Sequence, residues 1–113
     1  MKSQIERLFA LYQALPRVET RAETLIKLAK HENVIQAYEL QGEPNDSQRR
    51  QIQRDLDSLS DALKQGLRAE IHKKPNTYYL PPSANLDKTD SGTAMLLLLA
   101  ESFLKKVAPK DLL

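Results

Sequence analysis

The chain has 113 residues, 41% of them hydrophobic and 28% charged, with no cysteine and a formal net charge of +2. That suits one domain with its own core rather than two large ones, and it excludes disulfides, thiolate metal sites and a cysteine nucleophile. The longest apolar run, Ala94 to Ala100, is under half of the roughly 18 residues a membrane span needs.

The opening "MKSQIERLF" lacks an apolar signal-peptide core, so a cytoplasmic protein without membrane association is expected. In "SQIERLFALYQAL" the residues Ile5, Leu8, Phe9, Tyr12 and Leu15 fall at helical spacing, with Ser3 as N-cap and Pro16 as the stop. "TRAETLIKLAKHE" predicts a second helix capped by Thr20, with Ala22, Leu25, Ile26 and Ala29 as its apolar stripe. "NVIQAYELQG" predicts a short third one closed by Gly42. Turn chemistry follows in "GEPND".

From Ser47 the periodicity is firm. Ile52, Leu56, Leu59 and Leu63 follow a 4-3-4 spacing, a stripe about 60° wide on a helix of 3.6 residues per turn. Gly66 is the expected stop. "LRAEIHKKPNTYYLP" then reads as two short strands around a "KKPN" turn, with Ile71, Tyr78 and Tyr79 supplying β-propensity. After the polar connector "PSANLDKTDSG", the segment "TAMLLLLAESFLKKVA" predicts a helix apolar around most of its circumference.

The expected fold is therefore mostly α with a small β-hairpin. Three or four helices followed by a hairpin match the order of a winged helix-turn-helix over residues 1–82. In it the helix from Ser47 reads DNA, either segment 21–32 or segment 33–41 is its partner helix, and the hairpin is the wing. Residues 83–113 would add the connector and a dimerisation or linker helix. Five consecutive apolar residues are hard to bury in so small a domain. Met95, Leu96, Leu99, Phe103, Leu104 and Val107 are accordingly expected to form a homodimer seam.

Charge is unevenly distributed along the chain. Residues 1–45 carry six basic and six acidic groups and residues 75–113 four of each, whereas residues 46–74 carry seven basic against five acidic. The net charge thus sits in the middle third, and such asymmetry points to a polyanionic partner. With Ile52 at the centre of the buried stripe, Arg50 and Arg54 fall nearly opposite it, beside Ser47 and flanked by Gln51 and Gln53. Arg49 lies near the apolar edge, and Asp57 and Asp61 occupy the outer face one and two turns later.

Such a helix is suited to enter a major groove by its first two turns. Arginine matches the guanine O6/N7 pair and glutamine the adenine N6/N7 pair. Ser47, Gln48, Arg50, Gln51 and Arg54 are the expected base readers, with Gln53 on the flank. Arg49 and the turn residues Lys73, Lys74 and Asn76 would meet phosphates or the minor groove. A plain solvated face, with Arg54 paired to Asp57 three residues on, is the competing reading of this helix.

The run Arg50, Gln51, Ile52, Gln53, Arg54, Asp55, Leu56, Asp57, Ser58, Leu59 resembles a motif of the WYL-domain transcriptional regulators, Arg-Thr-(Val/Ile)-x-Arg-Asp-Leu-x-x-Leu. "LYQALPR", "TYYL" and "TAMLLLLAESFLKKVAPKDLL" are similar to the flanking elements of that family in the same order. Gln51 stands where the family has threonine. The resemblance implies a homodimeric, double-stranded-DNA-binding transcription factor that binds an inverted repeat. It would commonly be a repressor, in some relatives encoded beside phage-defence or DNA-damage genes. The WYL domain itself has no counterpart here, so the chain reads either as part of a longer protein or as a naturally short one, and any effector ligand would bind a region missing from it.

Catalysis, metals and cofactors are not expected. His31 and His72 lie in different elements without companions at metal-ligand spacing. Gly42, Gly66 and Gly92 are isolated, so no phosphate-binding loop is formed. Asp55 and Asp57, two apart on a helix, point to different faces. The alternative function is a winged-helix protein–protein interaction module without direct DNA readout. Structured RNA fits less well, because Tyr78 and Tyr79 alternate faces and give no stacking platform.

Overall fold

The structure, a computed structural model, describes residues 1–70 and 76–82. It is mostly helical: α1 (Gln4–Ala14), a 3₁₀ turn at Glu19–Arg21, α2 (Leu25–Leu28), α3 (Glu32–Tyr38) and α4 (Asp46–Leu63). Helix α1 packs against α3 and α4, and α2 packs against α4. No described helix is long and apolar enough to cross a membrane.

The ends of α1 follow local rules. Ser3 Oγ accepts from the Glu6 backbone N–H at 3.3 Å and donates to the Glu6 carboxylate at 2.9 Å. Leu15 turns extended ahead of Pro16. Leu8, Leu11, Tyr12 and Leu15 are buried, while Ile5 and Phe9 pack at the margin of the core.

The second helix departs from the expectation. Thr20 lies in the 3₁₀ turn, and the N-cap is Thr24, whose Oγ1 accepts from the Lys27 N–H at 3.2 Å. Pairing across the fold is the reason. Glu23 exchanges both backbone hydrogen bonds with Tyr78, at 2.8 and 3.0 Å, so the chain must stay extended there. The Glu23 side chain meets His31 Nε2 at 2.7 Å.

Neither expected glycine stop ends its helix. Helix α3 ends at Glu39 in the left-handed region (φ 54°), with Gly42 (φ 96°) turning the loop beyond it. The Glu39 carboxylate pairs with the N-terminal ammonium group. Helix α4 ends at Lys64 (φ 55°), where the Gln65 N–H closes onto the Ser60 carbonyl at 3.1 Å and Ser60 Oγ donates to the Gln65 carbonyl at 2.7 Å. Its start is a capping box. Asn45 Oδ1 accepts from the Gln48 N–H at 2.8 Å, and Gln48 Oε1 accepts from the Asn45 N–H at 2.9 Å.

Strand structure among the described residues is limited to two antiparallel bridges, Glu23 with Tyr78 and Arg68 with Tyr78. Ala69 N–H donates to the Thr77 carbonyl and Tyr79 N–H to the Leu67 carbonyl, both at 2.8 Å, so the segment around Tyr78 lies between the other two. The expected turn with Lys73 and Lys74 lies outside the described residues, as does the expected apolar helix with Met95, Leu96, Leu99, Phe103, Leu104 and Val107.

The core sits where these elements pack on one another. Leu11, Leu28, Val34, Ile52, Leu59 and Leu80 are fully buried there. The predicted stripe of α4 holds, with Ile52, Leu56 and Leu59 buried and Leu63 at the margin. Asp55 is also buried, only 1% exposed. Spacing alone sets Asp55 only on a different face from Asp57 and assigns it no partner.

Candidate nucleic-acid interface

Burying Ile52, Leu56 and Leu59 turns the opposite side of α4 outward, and Ser47, Arg50 and Arg54 are exposed there. The side chains of Ser47 and Arg50 have no hydrogen-bond or ion-pair partner among the described residues. Arg54 Nη2 donates to Gln51 Oε1 at 3.0 Å. The Arg54–Asp57 pair of the competing reading does not form, and Asp57 instead accepts from Gln53 Nε2 at 3.3 Å. Neither outward arginine is neutralised by an acid of its own helix. Asp57 and Asp61 are exposed further along, so the outer face is basic in its first half and acidic in its second.

The remaining expected helix contacts are occupied to differing degrees. Gln48 Oε1 is engaged in the capping box. Arg49 is exposed, but its Nε donates to the Pro44 carbonyl at 3.1 Å and its Nη2 lies 3.6 Å from Asp46. That ties Arg49 to the start of its own helix. Gln53 accepts from the Tyr78 hydroxyl at 2.9 Å, which couples the flank of α4 to the β-bridged segment. Asn76 is exposed at the start of that segment, while Tyr78 is buried and Tyr79 half-buried.

Gln51 has both ends of its amide in use, and the reason is the acid beneath it. Asp55 receives four hydrogen bonds: from Arg7 Nε at 2.7 Å, Arg7 Nη2 at 3.4 Å, the Tyr38 hydroxyl at 2.6 Å and Gln51 Nε2 at 3.0 Å. Every partner donates, the role left to them by an ionised carboxylate, which only accepts. Burial and the bond to Asp55 push the Tyr38 hydroxyl far above the usual phenol range, so it remains a donor. Burial works against the Arg7 charge, but the hydrogen bond and charge of Asp55 outweigh it and raise the guanidinium further. Arg7 Nη1 is held by the Lys2 carbonyl at 2.8 Å, and the guanidinium lies 6.0 Å from the Tyr38 ring centroid.

This cluster ties α1, α3 and α4 together behind the outward face. Arg7 and Asp55 are 48 residues apart in the chain, so no local pattern announces their pairing. The available signal is that each borders an apolar stripe, Arg7 next to Leu8 and Asp55 next to Leu56. Compared with known proteins, the chain matches no family model, no curated protein and no solved structure.

Proposed function

We propose that the chain is a winged helix-turn-helix domain that binds double-stranded DNA sequence-specifically as part of a transcriptional regulator, with α4 as the reading helix. The observation that carries the reading is the outward pair Arg50 and Arg54, four residues apart and without an acidic partner among the described residues. Like charges at that spacing cost a few tenths of a kcal/mol in an isolated helix. A polyanion lying on the face offsets that cost.

The order of elements supports the reading. Two short helices, α2 and α3, precede α4, and antiparallel bridges at Arg68 and Tyr78 follow it. In the groove, Arg50 and Arg54 face guanine edges or phosphates. Ser47 is a further polar contact at the helix start. Arg49, Lys73, Lys74 and Asn76 supply backbone contacts around the reader. The acids Asp57 and Asp61 keep the C-terminal half of α4 away from phosphate. A homodimer on an inverted repeat would set two such readers about 34 Å apart, or a multiple of that. Repression follows if the operator overlaps a promoter.

The test is selection of duplexes from a random pool by the purified chain, followed by titration of the selected duplex at several salt concentrations. Preferred binding is expected, with a steep salt slope. Removing both cationic side chains in Arg50→Ala/Arg54→Ala should reduce the slope by up to about 1.8 and abolish the preference that their base contacts supply. Equal weak binding to selected and scrambled duplexes, unchanged in the double variant, refutes the reading.

A further inference from the structure

Two of the outward arginines of α4 differ in one respect. Arg50 has no partner among the described residues, whereas Arg54 is held by Gln51. The geometry points to Gln51 as a positioning residue that is locked by the buried Asp55 carboxylate and fixes Arg54 in a preset direction for one base contact. This rests on the DNA-reading proposal and deepens it: within the reading face, it separates a preset arginine from a free one.

The physical chain runs outward from the core. Arg7 and Tyr38, on α1 and α3, hold Asp55 from behind. A glutamine amide can present either its oxygen or its nitrogen, but a carboxylate accepts only. With Asp55 Oδ1 at 3.0 Å, Gln51 must turn Nε2 inward. Its Oε1 then faces outward as an acceptor, and Arg54 Nη2 occupies it at 3.0 Å. A residue expected to read a base is thereby committed to the protein at both ends. Arg54 retains its other guanidinium donors for a ligand.

A long side chain fixed before binding loses less entropy on binding. The saving per immobilised side chain corresponds to roughly a three- to tenfold gain in affinity. That gain applies only to the duplex whose base edge matches the fixed direction. Preorganisation of this kind therefore acts on sequence preference, whereas an exposed phosphate contact acts on all duplexes alike.

The experiment compares wild type, Gln51→Met, Arg54→Ala and the double variant, using the duplex selected by wild type and single-base changes of it. Methionine keeps the length of glutamine and removes both hydrogen bonds. Expected for Gln51→Met is a roughly three- to tenfold loss on the selected duplex, relaxed preference at the same base position that Arg54→Ala relaxes, and unchanged affinity for scrambled DNA. Combining the two changes should add nothing beyond Arg54→Ala. Losses that multiply, or relaxation at a different base, would overturn the assignment and make Gln51 a reader itself.

A second measurement needs no DNA. Side-chain relaxation of the arginine Nε–H groups by NMR should find Arg54 more ordered than Arg50 in wild type and equally mobile in Gln51→Met. If the two arginines are equally mobile in wild type, the positioning role is refuted. If Arg54 is ordered but wild type selects no sequence, the DNA-reading proposal fails instead.

Discussion

Replacing Asp55 by asparagine changes one atom and removes one charge, at a residue only 1% exposed. In the native protein Oδ2 serves Arg7 Nε and Tyr38, while Oδ1 serves Gln51 and, at greater length, Arg7 Nη2. Asparagine keeps one acceptor oxygen. Placed where Oδ2 was, it preserves the Tyr38 bond and one arginine bond, but its NH₂ group then meets the Gln51 and Arg7 donors. Gln51 can invert its amide to accept, at the cost of its bond to Arg54. Arg7, whose side chain is 13% exposed, is left without a counter-charge.

Breaking a buried pair by removing one partner costs about 3–5 kcal/mol. Because the Lys2 carbonyl and some solvent still serve Arg7, the lower end applies, about 3 kcal/mol. Urea unfolding followed by far-UV circular dichroism is the assay. With a slope of about 1.5 kcal/mol/M, the midpoint should fall by about 2 M at unchanged slope. Tyr38→Phe, which removes one donor and leaves the ion pair, should cost about 1–2 kcal/mol. A loss below about 1 kcal/mol for Asp55→Asn would show that the cluster is not a cohesive tie among the three helices.

Other substitutions probe independent features. Ile52→Ala empties a fully buried site on α4 and should cost about 3–4 kcal/mol, read as a drop in Tm of roughly 4 °C per kcal/mol. Asn45→Ala removes the capping-box acceptor and should destabilise by about 1 kcal/mol, whereas a change at exposed Ser47 beside it should stay within about 0.5 kcal/mol. Lys64→Gly relieves a left-handed residue at the end of α4 and should stabilise by about 1 kcal/mol in urea unfolding. A destabilising result would mean that the lysine side chain contributes more than its backbone costs.

Local interactions made much of this protein readable before folding was considered. The 3.6-residue period alone puts Ile52, Leu56 and Leu59 inside and Arg50 and Arg54 outside, because it depends only on backbone geometry. Ser3 is a cap because its partner is three residues away, and Pro16 stops α1 through its own ring. The helix that should have begun at Thr20 was misplaced for the converse reason. Tyr78, 55 residues after Glu23, claims both of its backbone groups, and local propensity carries no record of that claim.

The same holds for the outward face of α4. Helical spacing offered Arg54 an acid three residues on, and the folded protein supplied an amide instead. That choice originates with Arg7, which holds Asp55 from α1, and with Tyr38, which holds it from α3. That Arg54 is held while Arg50 has no partner among the described residues is thus settled by side chains brought together from distant parts of the chain. Amphipathic spacing says which way a side chain points, but its engagement depends on neighbours that only the fold supplies.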